Sequence, residues 1–225
     1  MIDFYTAATP NGYKVAIFLE EAGLQYKPHF IDLGAAEQKH PDFVKINPNG
    51  RIPAIVDSSV HGGFAVFESG AILLYLAEQT GRYLPTDPQA RSRTVQWLMW
   101  QMGGLGPMMG QLNVFKKYFD QHLPAAIERY ERESYRLFGV METQLAAHEW
   151  LAGEEYTIAD MAAWPWVAAH GWPGLTLDGH PALKSWYERI KARPAVTRAM
   201  QVPPRAVNTD DDARKFVEKA RKMLA

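Results

Sequence analysis

Cysteine is missing from all 225 residues. That absence excludes disulfide frameworks, thiolate metal centres and cysteine nucleophiles, so any sulfur chemistry here must run on thiols the protein binds rather than owns. An excess of one charge is lacking too: 24 Lys and Arg stand against 25 Asp and Glu, a formal net charge of −1. This balance gives no ground for a nucleic-acid or anionic-membrane partner. The basic clusters are short and interleaved with acids, as in the run Arg214-Lys215-Phe216-Val217-Glu218-Lys219, the pattern of a solvated helix face. Long apolar runs are absent. The longest, around Ala71 to Ala77, falls far short of the ~20 residues that span a bilayer. Strand-like residues begin at Ile2 with no basic flank or long apolar region before them, so a cytoplasmic, unanchored protein without a membrane partner is expected. The seven histidines (His29, His40, His61, His122, His148, His170 and His180) are scattered, with no pair three or four residues apart. No metal site is expected from them.

What is present is an ordinary globular composition, 47% hydrophobic and 22% charged, on a chain long enough for one large domain or two modest ones. The first eighty residues alternate strand-like and helical patterns. Ile2 to Tyr5 reads as a strand, followed by a helix with Thr9 as N-cap, Pro10 at its first position and Gly23 past its end. That start aims backbone N–H groups and the positive end of a helix dipole at a spot beside Thr9 and Asn11, which suits an anion. Tyr26 to Leu33 reads as a second strand, Gly34 to Lys39 as a polar loop, Pro41 to Lys45 as a short helix and Asn47 to Gly50 as a turn. Ile52 to Val56 is a third strand, in which Pro53 points to a sheet edge or the start of the strand. A turn at His61-Gly62-Gly63 leads to a fourth strand, Phe64 to Phe67, and then to a helix reaching about Thr80 with Ser69 as its N-cap. This order predicts a small α/β layer over residues 1–82.

Tyr83 to Pro88 reads as a linker, and from there the periodicity is helical throughout. A long helix from Arg91 to about Lys117 should kink or break at Pro107. Pro124 and Pro181 start further helices, Thr157-Ile158-Ala159-Asp160 fits a capping box, and Thr209 to Leu224 fits a last amphipathic helix. The second domain is therefore expected to be all-α over 89–225.

The turn Asn49-x-x-Ile52-Pro53, the helix start Glu68-Ser69-x-Ala71-Ile72 and the box Thr157 to Asp160 together resemble the cytosolic glutathione transferases. Three further matches resemble the bacterial nu class: the short Thr9-Pro10-Asn11-Gly12, Phe67 to Ala77, and the Trp- and Gly-rich run from Gln96 to Pro107. The resemblance spans the chain to about Arg198. It implies a thioredoxin-like first domain, a helical second domain, glutathione as substrate or co-substrate, a homodimer, and glutathione-dependent disulfide-bond oxidoreductase activity.

It also implies a ligand set. Glu68 would pair with the γ-glutamyl ammonium of glutathione, and Ser69 would bind the γ-glutamyl carboxylate through its hydroxyl and backbone N–H. Ile52, ahead of a cis Pro53, would pair its backbone with the cysteinyl residue like an added strand. Gln38 would face the glycine end, and the nearby cations Lys39, His40 and Arg51 could share the carboxylate-clamp work of Arg129. Arg129 would clamp a carboxylate from the helical domain, although its i, i+4 relation to Glu133 equally suits a surface ion pair. Thr9 and Asn11 take the catalytic place, donating hydrogen bonds to the glutathione thiolate, with Tyr5 and Thr6 in the same vicinity. The Thr9 hydroxyl is claimed by two roles at once, as helix cap and as thiolate donor. Trp97, Trp100 and the Gly103 to Pro107 segment would shape the substrate side and the dimer contact, and Asp160 is structural.

Three functional readings follow. The first is a disulfide oxidoreductase in which one bound glutathione attacks a disulfide and a second resolves the mixed disulfide to oxidised glutathione. The second is a conventional transferase or peroxidase acting on electrophiles or hydroperoxides. The third is a non-catalytic interaction module.

Overall fold

The computed structural model describes residues 1–204 and 210–224. The chain divides into two compact units, Met1–Thr80 with Pro194–Ala225, and Gly81–Arg193. The tail from Pro194 thus groups with the first unit, whereas the sequence reading set 89–225 as a single helical domain.

In the first unit a four-stranded sheet runs in the order β2-β1-β3-β4, with β1 Ile2–Thr6, β2 Tyr26–Phe30, β3 Ala54–Asp57 and β4 Phe64–Phe67. β1 pairs parallel to β2 and antiparallel to β3, and β4 pairs antiparallel to β3, the thioredoxin-like arrangement. Strand alternation sends Ile2, Phe4 and Thr6 to a buried face and leaves Asp3 and Tyr5 half-buried on the other. Pro28 is accommodated in β2 because that strand is an edge. Pro53 stands just ahead of β3, which is interior, so of the two positions open to it the strand start applies.

β2 ends at Phe30, three residues before the expected Leu33. Asp32 ends it, because its carboxylate accepts from the Gly34 and Ala35 N–H groups and so opens a 3₁₀ turn at Leu33–Ala35. A second 3₁₀ turn, Glu37–Lys39, follows where a loop is expected. The helices of this unit are α1 Pro10–Ala22, α2 Pro41–Ile46 and α3 Ser69–Thr80. α1 ends on Gly23 at φ 65°, a left-handed cap that favours glycine.

α1 is buried on nearly every side from Gly12 to Leu19, packed against α3 and against α9, Pro194–Ala199. That packing explains where the tail belongs. Tyr13 donates its hydroxyl to the Pro203 carbonyl at 2.8 Å, and Arg198 pairs with Glu20 at 2.7 Å. A final helix, α10 Asp210–Leu224, rests against the Leu33–Ala35 turn.

The second unit is helical: α4 Pro88–Trp100, α5 Gly106–Asn113, α6 Pro124–Ala147, α7 Ile158–Ala168 and α8 Pro181–Lys191. Of the kink or break expected at Pro107, the break does not occur. A π turn at Gln101–Leu105 precedes it, widening the backbone spiral so that Pro107 falls in the first turn of α5, where its missing N–H is tolerated. The capping box at Thr157 is formed in full. Asp160, completely buried, accepts from the Leu151 N–H, the Thr157 N–H and the Trp186 indole at 2.9–3.0 Å. Burial pushes its carboxyl above the ordinary range, and the donors around it oppose that rise. Among the described residues no helix is long and apolar enough to cross a membrane.

Candidate functional site

Sheet register assembles the site. Tyr5 of β1 lies opposite Ala54 of β3, and Ala54 opposite Phe67 of β4. The next residues outward, Thr6, Pro53 and Glu68, therefore meet at one end of the sheet, and the turn into α1 rises from the same end. Three chain segments far apart in sequence are brought together by two strand pairings.

At the α1 start, Thr9 is extended (φ −132°, ψ 157°) and its hydroxyl oxygen accepts from the Gly12 N–H at 3.1 Å. This is an N-cap with no acidic residue in the first turn. Asn11 is half-buried at the second helical position. Gly12 is required by space: a Cβ there would run into the Ala7 carbonyl and the Thr6 hydroxyl, well inside contact distance. Pro10, Asn11 and Gly12 thus let the turn fold tightly over Thr6, which is fully buried.

At the β4–α3 junction the expected N-cap moves by one residue. The Glu68 carbonyl accepts from the Ile72 N–H at 2.9 Å, so Glu68 is the cap and Ser69 begins the helix. Glu68 holds φ at 71°, left-handed for a non-glycine residue, the kind of local strain that concentrates at functional sites. Its carboxylate receives the Asn49 amide at 3.4 Å. The buried Ser69 hydroxyl accepts from the ammonium of Lys14, 3.2 Å away.

Lys14 is 1% exposed. Burial lowers its pKa to about 7, and the nearby Glu68 carboxylate partly offsets the fall. Sequence reasoning missed this residue. The signal was available, because Lys14 lies one turn before Phe18 on a face that the apolar pattern Val15, Phe18, Leu19 marks as core. A lysine there must be paired or functional.

Gln38 sits in the Glu37–Lys39 turn, buried, with its side-chain oxygen lacking a hydrogen-bond partner among the described residues. Its carbonyl and the Lys39 ammonium press against Gly50, whose φ of 60° turns the chain toward Ile52. That turn is held by the Asn47 amide on the Arg51 carbonyl at 2.5 Å. The Ile52–Pro53 bond is cis, and Ile52 precedes the ladder residues of β3.

Arg129 is different. It lies on α6 in the second unit, 65% exposed at its side chain and 3.5 Å from Glu133, so the structure shows the ion pair of the sequence reading and no further partner is assigned to it. Tyr5 is also separate. Its ring faces the other side of the sheet, stacked on His29 at 4.5 Å, and burial with the Asp3 charge raises its pKa. A shallow hollow of about 640 Å³ on that side is lined by Tyr5, Phe43 and the two cations Lys39 and His40, but by none of Thr9, Asn11, Gln38, Ile52, Pro53, Glu68, Ser69 or Arg129.

Comparison with known proteins agrees with this architecture. Residues 2–78 match the glutathione S-transferase N-terminal domain and residues 108–194 the C-terminal domain. The Escherichia coli (strain K12) disulfide-bond oxidoreductase YfcG is 51% identical over 203 residues, covering 89% of this chain and 94% of that protein. A glutathione transferase from Burkholderia graminis, solved with two glutathione molecules bound per subunit, superposes with a TM-score of 0.85 at 41% identity, covering 91% of this chain and 89% of that one. A glutathione transferase from Pseudomonas putida, solved with one glutathione disulfide per subunit, gives 0.84 at 39% identity, covering 90% and 91%. The chain belongs to the glutathione S-transferase family.

Proposed function

We propose that this protein is a glutathione-dependent disulfide-bond oxidoreductase in which every reacting sulfur is brought by a ligand. The observation that carries the reading is the cradle at the end of the sheet: the Thr9 cap, the Ile52–cis-Pro53 step and the Glu68–Ser69 junction converge in a chain without cysteine. The likeness to YfcG and to transferases holding glutathione or its disulfide supports the same reading.

Glu68 takes the γ-glutamyl ammonium and Ser69 the γ-glutamyl carboxylate. The Ile52 backbone pairs with the cysteinyl residue. Gln38, whose buried oxygen has no protein partner among the described residues, faces the glycine end. The thiolate rests by Thr9 and Asn11 at the positive end of α1, which shifts a thiol of pKa about 8.5 toward its reactive form.

The Thr9 cap and the thiolate contact are compatible. Capping uses a lone pair of the hydroxyl oxygen to accept from Gly12, and the hydroxyl proton remains to be donated. The bound thiolate attacks one sulfur of a disulfide, forming a mixed disulfide and releasing the other sulfur as a thiolate that takes up a proton. A second glutathione thiolate then attacks the glutathionyl sulfur, releasing the second substrate thiol and leaving oxidised glutathione. Two glutathione molecules are oxidised for each disulfide reduced. The protein supplies position and thiolate stabilisation.

Reduction of hydroxyethyl disulfide by glutathione, set against conjugation of chlorodinitrobenzene, tests the assignment. Disulfide turnover is expected to dominate, and conjugation faster by orders of magnitude would make the chain a conventional transferase. A homodimer is part of this reading and is checked by sedimentation.

A further inference from the structure

The turn that leads into Ile52 and the junction that carries Glu68 touch through one side chain. Asn49 donates its amide to the Glu68 carboxylate at 3.4 Å, across 19 positions of sequence. The turn itself does not need that contact, because Asn47 closes it. The Asn47 side-chain oxygen accepts from the Asn49 N–H at 2.9 Å, its amide donates to the Arg51 carbonyl at 2.5 Å, and its backbone carbonyl accepts from the Gly50 N–H at 2.9 Å. Asparagine is common in turns because it bonds to nearby backbone or tolerates a left-handed conformation. Here Asn47 does the first, Gly50 at φ 60° does the second, and Asn49 does not adopt a positive φ. Among the described residues, the Asn49 side chain is engaged by Glu68 alone.

Glu68 is held in an unusual way as well. Its φ of 71° is unfavourable for any residue with a Cβ, and it is from this conformation that the carboxylate meets the turn. We infer that Asn49 is a positioning residue for the γ-glutamyl end of glutathione: by holding one oxygen of the Glu68 carboxylate it aims the other at the ligand ammonium, and so favours ligands that carry that ammonium. This rests on the glutathione site proposed above and adds a specificity residue to it.

The chemistry suits this division. A carboxylate accepts at about four positions on its two oxygens, so one donor leaves room for an ammonium. An amide is also neutral. A lysine or arginine in its place would cancel the charge of Glu68 and repel the incoming ammonium. Both residues are exposed, and an exposed ion pair between freely moving side chains contributes little, because ordering them offsets the attraction. Ordering Glu68 before the ligand arrives lowers that cost. The same turn sets the Ile52 backbone, through the Arg51 carbonyl held by Asn47. The ammonium clamp and the pairing with the cysteinyl residue therefore share one frame.

Calorimetry with two ligands that differ at one group tests the inference. The first is S-methylglutathione, and the second is its des-amino analogue, with glutaryl in place of γ-glutamyl. Asn49→Ala is expected to weaken S-methylglutathione about fivefold and the analogue less than about twofold, because the hydrogen bond to Glu68 matters only where that carboxylate meets an ammonium. Urea unfolding midpoints of Asn49→Ala and the unaltered protein should coincide, since Asn47 closes the turn. Equal weakening of both ligands, or of neither, overturns the inference. In a Glu68→Gln background, Asn49→Ala should change S-methylglutathione affinity less than about twofold. A fivefold loss surviving there would make Asn49 a direct ligand contact and overturn its positioning role. Failure of the unaltered protein to bind S-methylglutathione would overturn the glutathione reading itself, whereas binding indifferent to Asn49→Ala overturns this inference alone.

Discussion

Two helices of this protein start on threonine, α7 at Thr157 and α1 at Thr9, and they are finished in opposite ways. Thr157 is buried, its hydroxyl accepts from the Ala159 N–H, and Asp160 closes the box from inside the helix. The Asp160 carboxylate is then saturated by Leu151, Thr157 and Trp186, so nothing polar at that start is left for a ligand to take. Thr9 is half-exposed, has no acid in the first turn to answer it, and is followed by Asn11 and by Gly12 pressed over Thr6. A helix start sealed by its own carboxylate is a joint. One without such a carboxylate keeps the polarity of its N-terminus unneutralised, which is what the proposed thiolate contact uses.

Asp160→Ala should break the sealed start most severely. Three buried donors would lose their acceptor, for a loss of about 3–5 kcal/mol in urea denaturation. Glutathione affinity measured below the unfolding transition should be unchanged, and a parallel loss of affinity would mean the two starts are not separate in function.

Lys14 marks the open start by its pH dependence. Its folded pKa of about 7 lies below the ordinary 10.5, so between those values the unfolded chain binds more protons. Stability must therefore rise with pH across that window and level off below about pH 7. The difference in unfolding free energy between the unaltered protein and Lys14→Met should climb by about 1 kcal/mol per pH unit from pH 7 to 10. A flat difference would place the amine in contact with water. Tyrosines raised by burial, such as Tyr26 and Tyr75, cancel in that difference.

Local chemistry was legible in the sequence wherever a residue's role is settled within its own turn. Thr9 and Pro10 marked α1, Gly23 its end, and Thr157 with Asp160 the box, because each cap is made by neighbours three or four residues apart. Roles decided by distant partners were not legible. Ser69 read as a cap because serine commonly caps, but the left-handed Glu68 takes that place and Lys14, 55 positions away, claims the hydroxyl. The tail read as part of the helical domain because its pattern is helical. Its attachment to α1 rests on Tyr13 with Pro203 and Glu20 with Arg198, pairs separated by nearly the whole chain. The π turn before Pro107 was likewise hidden, since a proline predicts the missing hydrogen bond and not how the preceding turn absorbs it.

Gly12→Ala sharpens the contrast at smaller magnitude. The new methyl meets a backbone carbonyl and a buried hydroxyl, neither of which is a flexible side-chain end, so a loss of about 1–3 kcal/mol is expected together with weakened glutathione binding. Full affinity in a stable Gly12→Ala protein would show that the turn relaxes without disturbing the site.

The finest separation comes from removing each cap hydroxyl in turn. Thr9→Ala and Thr157→Ala should each cost about 1 kcal/mol of stability, Thr157→Ala slightly more because its hydroxyl also lies 3.3 Å from the buried Asp160 carboxylate. Their effects on catalysis should diverge. Thr157→Ala should leave disulfide turnover intact at temperatures where the protein is folded. Thr9→Ala should lower kcat about tenfold or more with glutathione affinity changed less than about twofold, because in the proposed mechanism the hydroxyl proton touches the thiolate and not the anchors. Thr9→Ser, which keeps both the lone pair for Gly12 and the proton for the sulfur, should restore turnover. If Thr9→Ala lowers turnover and affinity equally, the hydroxyl is a cap alone and the thiolate depends on Asn11 and the helix dipole.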